Sequence, residues 1–316
     1  MISDQPLFRT IYGCLLILAT LFCHDRVTAR QVEELDFRTA MTRKQLSEAE
    51  LVHLLKNKTA LQLKQLESLS DKQAEILGTA ISVTLDNIRK LSDRQVELLA
   101  GARFLGLDGL TELTDKQAHS LRNCKEVSLG SLKSITPTQC RSLQNVELLS
   151  LDGLESISDE VAEALGKVQH LSLNGLRSIT PEQIEKFTET ASLSLNGLST
   201  MTDAQAESFG KLKGVHFYFC GLCELTDGQA EQLSQSGSLY LNGLKQISDR
   251  QAEAFSRVPF LGLDGITELS ETAAAHFRNV PVLHLGGIKK LSKSQAEHLD
   301  RCLYVIGLDV KKWLKK

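Results

Sequence analysis

The feature that most constrains this chain is a repeat of 22 residues. An apolar residue that opens a Leu-x-Leu pattern recurs at this interval, with a single interval of 24 residues before Phe217. The eleven starting positions are Leu61, Val83, Leu105, Val127, Leu149, Leu171, Leu193, Phe217, Leu239, Leu261 and Leu283, and Val305 would start a truncated twelfth. A unit this short cannot bury its own apolar face, so stacked neighbours must bury it together. The repeat therefore predicts a solenoid.

The unit at residues 171–187 illustrates the predicted order of elements. Residues 171–173, Leu-Ser-Leu, alternate as in a strand, so both leucines point one way and the serine points the other. The following Asn174-Gly175 pair predicts a turn in which glycine accepts a positive φ. Thr180 and Gln183 then have the spacing of a capping box, which predicts the start of a helix.

The helix signal recurs along the chain. Ser or Thr precedes Gln by three residues in nine units. Pro137 and Pro181 fall at the first helical position, where a missing N–H costs nothing. Ala74 and Leu77 have the spacing of a buried helix face. Each unit is therefore predicted to be one strand, one turn and one helix of little more than two turns.

The unit resembles the leucine-rich repeats in its Leu-x-Leu strand and 22-residue period, over about residues 60–310. Leu stands where that superfamily usually carries an inward Asn, and here the unit is similar to the Leu-x-Leu-x-x-Leu-x-x-Ile variety of bacterial cell-surface and exported proteins. The resemblance implies an α/β solenoid, a right-handed stack with short parallel strands on the concave side and short helices on the convex side. It also implies protein or surface binding, and it carries no catalytic residues.

The ends of the chain differ from the repeats. An apolar run at 11–23 is too short to span a membrane, and small residues precede Arg30, as in a cleaved signal peptide. We therefore expect export to the periplasm, cell surface or exterior, with an uncleaved anchor as the alternative. The predicted segments are a signal peptide at 1–29, an N-terminal helical cap at 30–59, eleven repeats at 60–303, and a terminal strand and basic tail at 304–316.

Two details of these ends carry expectations. Thr42 and Gln45 repeat the capping-box spacing, which predicts a cap helix with its apolar face at Leu46, Leu51, Leu54 and Leu55. The tail holds Trp313, the only tryptophan, and four lysines. It either contacts an anionic surface or packs Trp313 over the last unit as a frayed end.

Catalytic and metal chemistry find little support in the sequence. Cys220 and Cys223 form a C-x-x-C, but Cys220 occupies the turn position that is Asn in other units, and no second pair completes a zinc site. His170, His216 and His284 fall on separate strands, too far apart for a metal cluster. No phosphate loop and no Ser/His/Asp set in register is present, so we expect no cofactor, no metal and no enzyme. The net charge of -3 does not favour nucleic acid.

The strand residues that point away from the core supply the candidate binding site. Small and hydroxylic residues fill the middle of this face, and larger ones follow near the 24-residue interval. The candidate partner-binding residues are His216, Tyr218, Tyr240, Phe260 and His284, with Gly262 leaving a notch. Aromatic side chains often anchor interfaces. Alternatively, Tyr218 and Tyr240 form a cross-strand pair that only stabilises the sheet.

The sequence leaves three functions open. The first is a scaffold that binds a protein on the concave sheet face. The second is a cell-surface adhesin or structural layer protein that binds matrix or carbohydrate. The third is a self-associating structural element, which the predicted cap helix disfavours because it covers one open end.

Overall fold

The computed structural model describes residues 42–57 and 59–314. The predicted signal peptide and its cleavage site lie outside the described residues, as do the first twelve residues of the predicted cap (30–41) and the last two of the tail (315–316). The fold within the described residues is one continuous stack of similar layers. We term each strand, with the turn and helix that follow it, a rung.

Twelve strands form a single parallel sheet in sequential order within the described part of the chain. Each strand residue pairs with its equivalent one repeat later, as Leu61 does with Val83. The strands are β1 (Ala60–Gln62), β2 (Ser82–Thr84), β3 (Phe104–Gly106), β4 (Glu126–Ser128), β5 (Leu148–Ser150), β6 (His170–Ser172), β7 (Ser192–Ser194), β8 (His216–Tyr218), β9 (Ser238–Tyr240), β10 (Phe260–Gly262), β11 (Val282–His284) and β12 (Tyr304–Ile306). The predicted α/β solenoid of short parallel strands is confirmed.

A helix precedes β1, and a helix follows each strand. The helices are α1 (Glu48–Asn57), α2 (Asp71–Leu77), α3 (Asp93–Leu99), α4 (Asp115–Leu121), α5 (Pro137–Leu143), α6 (Asp159–Leu165), α7 (Pro181–Ile184), α8 (Asp203–Lys211), α9 (Asp227–Leu233), α10 (Asp249–Phe255), α11 (Glu271–Phe277), α12 (Lys293–Leu299) and α13 (Lys311–Leu314). Pro137 and Pro181 open their helices as predicted. Ala74 and Leu77 are fully buried between the helices and the sheet.

The first helix begins later than the sequence indicates. It starts at Glu48, behind a capping pair in which Ser47 and Glu50 bond each other's backbone N–H at 2.8 and 3.3 Å. The predicted start of this helix at Thr42 is therefore wrong. The Ser47–Glu50 pair is favoured over the Thr42–Gln45 pair because Glu50 is charged. Its carboxylate accepts from both the N–H and the hydroxyl of Ser47, and a neutral glutamine side chain would form weaker bonds of this kind.

The two additional residues of the 24-residue interval are accommodated in one segment, between β7 and β8. Helix α8 has nine residues where most others have seven, and Gly214 follows it with φ of 76°. A core cluster of three aromatic rings joins this helix to the next rung. Phe209 lies 5.3 Å from Phe217 and 4.9 Å from Phe219, measured between ring centroids. The insertion thus coincides with the bulkiest part of the core.

The turn glycines have a different role from the predicted one. Among the described residues, only Gly214 and Gly307 adopt a positive φ. At Gly175, a Cβ would lie 2.2 Å from the carbonyl oxygen of Asp152 in the preceding rung. The glycine is needed because adjacent rungs approach too closely for any side chain at this point, and the interpretation by positive φ is wrong.

A column of glutamines joins the rungs on the helix side. All nine predicted capping boxes form. In each, the glutamine also reaches back to the preceding rung, as when Gln139 Nε2 donates to the Leu113 carbonyl oxygen at 2.7 Å. Gln229 does the same to Met201 at 2.9 Å. One side chain therefore caps its own helix and ties that helix to its neighbour.

A second column joins the rungs at the turns. Asn174 Oδ1 accepts the backbone N–H of Asn196 at 2.9 Å and the hydroxyl of Ser194 at 2.7 Å. Asp152 accepts in the same way from Asn174. Six turn Asp and Asn residues are therefore inter-rung acceptors, namely Asp108, Asp152, Asn174, Asn196, Asn242 and Asp264.

Candidate functional site

The side of the strands that points away from the core is termed the sheet face, and it has two columns. The opening column consists of the first residue of each strand, and the closing column of the last. The opening column runs Ala60, Ser82, Phe104, Glu126, Leu148, His170, Ser192, His216, Ser238, Phe260, Val282 and Tyr304. The closing column runs Gln62, Thr84, Gly106, Ser128, Ser150, Ser172, Ser194, Tyr218, Tyr240, Gly262, His284 and Ile306.

The serines in the middle of the sheet face are not free for binding. Ser172 is 0% exposed and Ser194 is 1% exposed. Their hydroxyls donate to the turn residues Asp152 and Asn174 of the preceding rungs. The hydroxylic middle of the face is therefore part of the hydrogen-bonded frame.

Two histidines of the opening column lie against serines of the next rung. His170 Nδ1 is 2.9 Å from the Ser192 hydroxyl, and His216 Nδ1 is 2.6 Å from the Ser238 hydroxyl. Burial lowers the pKa of both imidazoles; the charge of Glu147 opposes this at His170. Both rings are therefore neutral at neutral pH, and each covers the serine beside it.

The two tyrosines form a stacked pair. Their ring centroids are 4.7 Å apart with an interplanar angle of 3°, and each residue is 8% exposed. Tyr240 also lies over Gly262, where a Cβ would come within 2.4 Å of its ring. The predicted notch at Gly262 is therefore filled by Tyr240, and the two stacked tyrosines are largely buried.

His284 completes this aromatic row. Its ring lies edge-on to Tyr240 with centroids 5.8 Å apart, and its Nδ1 is 3.8 Å from Asp264 Oδ2. Burial lowers the pKa of His284, and the carboxylate of Asp264 partly offsets that effect. Tyr218, Tyr240 and His284 are thus brought together, whereas His216 and Phe260 stand in the other column. His216, Phe260 and His284 are the half-exposed members of the predicted set.

The cysteines occupy structural positions. The Cys220 backbone N–H donates to Asn196 Oδ1 at 2.8 Å, as expected for a residue in the turn column. Cys124 and Cys140 are buried, and burial raises the pKa of their thiols to about 11 and about 12. Thiols with such pKa values are poor nucleophiles at neutral pH. Within the described residues, no group of three His, Cys, Asp or Glu side chains could hold a metal ion.

One turn residue, Asp86, has a buried carboxylate oxygen without a hydrogen-bond partner. Across the described residues, Asp86 Oδ1 is the buried side-chain atom without a hydrogen-bond partner, and Oδ2 lies 3.6 Å from Lys64 Nζ. Burial raises the pKa of Asp86, the neighbouring Asp108 carboxylate raises it further, and Lys64 opposes both. At the other turns, a carboxylate is followed in the next rung by a glycine or an amide and not by a second carboxylate. Asn174, for example, donates its Nδ2–H to Asp152 Oδ2 at 3.3 Å.

We expect Asp86→Asn to stabilise the protein by about 0.5 kcal/mol at neutral pH, a figure that allows for solvent screening. A raised pKa means that the contribution of Asp86 to stability is present below its ordinary value of 3.8 and is lost as the pH rises through the raised value. Urea unfolding of parent and variant from acid to neutral pH measures this. The gap in unfolding free energy should open with rising pH, and a gap independent of pH would contradict the explanation.

The comparisons with known proteins support the fold. No protein-family model matches the chain, and no curated protein matches it either. Among solved structures, the leucine-rich repeat-containing protein LegL7 from Legionella pneumophila aligns with 16% identity and a TM-score of 0.52, covering 72% of this chain and 93% of that one.

Two chains from protein complexes also align. A chain of the Toll–Spatzle complex of Drosophila gives 14% identity, a TM-score of 0.52, and coverage of 78% of this chain and 39% of that one. A chain of the TLR13–ssRNA13 complex gives 20% identity, a TM-score of 0.50, and coverage of 76% and 37%. This chain thus spans about two fifths of each of these two chains. The described part of this protein is a leucine-rich-repeat-like solenoid.

Proposed function

We propose that this protein is a non-enzymatic, exported scaffold that binds a protein partner on its sheet face. The proposal rests on three half-exposed side chains that project from the sheet face. They are His216 on β8, Phe260 on β10 and His284 on β11. Each backbone is held by parallel pairing on both sides. Rigid elements hold contact residues in place at low entropic cost, which favours protein recognition.

Protein is a better partner than glycan for this face. Sugars that pack on aromatic residues need a free ring face. Tyr218 stacks on Tyr240 with parallel rings, and the second face of Tyr240 lies over Gly262. Neither ring face of Tyr240 is available, so we favour a protein contact at Phe260 and the two histidines over an adhesin that binds carbohydrate.

Nucleic acid is disfavoured by charge. The solenoid fold occurs both in the Toll–Spatzle complex and in the TLR13–ssRNA13 complex, so the fold does not choose between partner classes. Binding to a phosphate backbone needs a concentration of cations on the face. The sheet face near the candidate residues carries neutral histidines, and the whole chain has a net charge of -3.

The experiment is capture from envelope and secreted fractions of the source cells, followed by affinity measurement with the purified partner. His216→Ala/Phe260→Ala/His284→Ala should lose the partner, whereas His119→Ala/His276→Ala/His298→Ala, which changes helix-side histidines, should keep it. Thermal unfolding checks that both variants fold. Equal retention by the two variants would place the contact elsewhere and contradict the proposal.

Tyr218 and Tyr240 should contribute mainly to stability. A double-mutant cycle with Tyr218→Ser and Tyr240→Ser is expected to give a coupling energy of about 1 kcal/mol, because the stacked rings interact beyond their separate burial. Urea unfolding of the four proteins measures it. Additive losses would show that the rings do not stabilise each other.

A further inference from the structure

The last rung is the least covered layer of the described stack. Leu303 is 66% exposed, Tyr304 is 49% exposed and Ile306 is 42% exposed. Val305, which occupies a core position, is half-exposed, whereas its partner Leu283 in the preceding rung is fully buried. At the other end of the described stack, α1 precedes β1, and Leu61 is fully buried.

A short aromatic and basic helix follows this exposed layer in the chain and packs against α12. Helix α13 (Lys311–Leu314) begins shortly after β12, and the Trp313 backbone N–H donates to the Val310 carbonyl oxygen at 3.0 Å. Trp313 is half-buried, with Lys312 Nζ 5.6 Å from its ring centroid. Lys311 and Lys312 are exposed. The last rung and the helix after it therefore carry exposed aliphatic, aromatic and cationic side chains.

The charge of this segment is opposite to that of the chain. Residues 301–316 contain a single carboxylate, Asp309, although the chain as a whole has a net charge of -3. Their cations are Arg301, Lys311, Lys312, Lys315 and Lys316, of which the last two lie outside the described residues. In the sequence, this positive charge therefore accompanies the exposed apolar residues 303–306.

We propose that the last rung is a docking surface for an anionic lipid bilayer. Tryptophan and tyrosine favour the interfacial region of a membrane, and lysine and arginine are attracted to anionic headgroups. Exposed leucine and isoleucine add apolar area that enters the headgroup boundary. This combination fits the three classes of side chain found on the last rung and on the helix that follows it.

A lipid surface fits better than a second copy of the chain. A symmetric pair of last rungs would bring two sets of lysines together, and like charges at an interface are unfavourable. The contact is peripheral in kind, since none of the helices within residues 42–57 and 59–314 is long and apolar enough to cross a membrane.

The fluorescence of Trp313 gives a local test, because it is the only tryptophan in the chain. The protein is mixed with vesicles of phosphatidylcholine alone, or with about one third phosphatidylglycerol to supply negative surface charge. We expect a blue shift of the Trp313 emission with the anionic vesicles and reversal at about 0.5 M salt, where the Debye length is short. A local reporter is needed because the apolar run at 11–23 could itself associate with lipid.

Matched variants separate charge at the last rung from charge in general. Lys311→Gln/Lys312→Gln should weaken binding to the anionic vesicles by roughly 25-fold, since each lysine near the surface is worth about fivefold. Arg89→Gln/Lys90→Gln removes two exposed cations beside β2 and should leave the titration unchanged. Leu303→Ser/Ile306→Ser should also weaken binding while leaving the core residue Val305 in place.

Three results would overturn the proposal. The first is an unchanged Trp313 emission with anionic vesicles. The second is an equal shift with neutral vesicles, which would remove the role of charge. The third is a dimer in sedimentation analysis that Leu303→Ser/Ile306→Ser dissociates, combined with no lipid response, which would assign the surface to a second copy. An acidic peptide that shifts Trp313 while vesicles do not would assign it to a protein partner instead.

Discussion

Replacing Gly175 by alanine should lower the free energy of unfolding by about 3 kcal/mol or more, at the top of the range for forced overpacking. A Cβ at this position would lie 2.2 Å from the Asp152 carbonyl oxygen and 2.6 Å from the Leu154 carbonyl oxygen. Both atoms belong to the backbone of the preceding rung, so relief requires two rungs to separate. Chemical unfolding followed by circular dichroism measures the loss.

Gly228 supplies the matched control. It lies within helix α9, where a Cβ would meet nothing closer than the Thr226 hydroxyl at 3.8 Å. Gly228→Ala should therefore stabilise the protein by about 0.5–1 kcal/mol, as expected when glycine is replaced in a helix. If Gly175→Ala were as well tolerated as Gly228→Ala, close packing between rungs would not explain the turn glycines.

The glycine pattern shows what a sequence of repeats can and cannot establish. The recurrence of Asn-Gly or Asp-Gly correctly placed the turn after each strand. It could not distinguish a glycine needed for positive φ from one needed for close approach, because both favour glycine. The distinction depends on the distance from Gly175 to the rung before it, and no property of the isolated unit determines that distance.

The sheet face likewise combines features that the sequence predicted with features that it could not predict. The repeat aligns Tyr218 with Ser194, 24 residues earlier, and with Tyr240, 22 residues later, so their adjacency followed from register. The tilt of Tyr240 over Gly262, and its low exposure, depend on where neighbouring side chains leave space. In the opening column, His170 and His216 are each followed by a serine one repeat later. This alternation of large and small residues indicates, from the sequence alone, that side chains of neighbouring rungs pack against each other on the sheet face.

The glutamines carry a further signal. A capping box accepts Glu as readily as Gln, yet the third helical position is Gln in nine of the eleven repeats and Glu in none of them. The absence of Glu indicates that the side chain must also donate a hydrogen bond. The structure supplies the acceptor, a carbonyl oxygen in the preceding rung, as Leu113 does for Gln139.

Gln139→Glu should therefore destabilise the protein by about 2–3 kcal/mol at neutral pH, although it keeps the capping acceptor. The carboxylate would accept from the Thr136 backbone N–H as the amide does, but its second oxygen would face the Leu113 carbonyl oxygen in a buried site. The carbonyl would lose its donor, and a charge would be desolvated beside a partial negative charge. The loss exceeds that of an ordinary helix cap because two rungs share the bond.

Acidification separates this mechanism from a general effect of added charge. Burial beside a carbonyl oxygen should raise the pKa of the introduced carboxyl group, and its protonated form can again donate to Leu113. The destabilisation should therefore shrink as the pH falls through that pKa, which urea unfolding across the acid range would measure. Gln246→Glu adds the same charge at an exposed loop position and should change the free energy of unfolding by less than about 0.5 kcal/mol. A Gln139→Glu variant as stable as Gln246→Glu would mean that the glutamine column caps helices without joining the rungs.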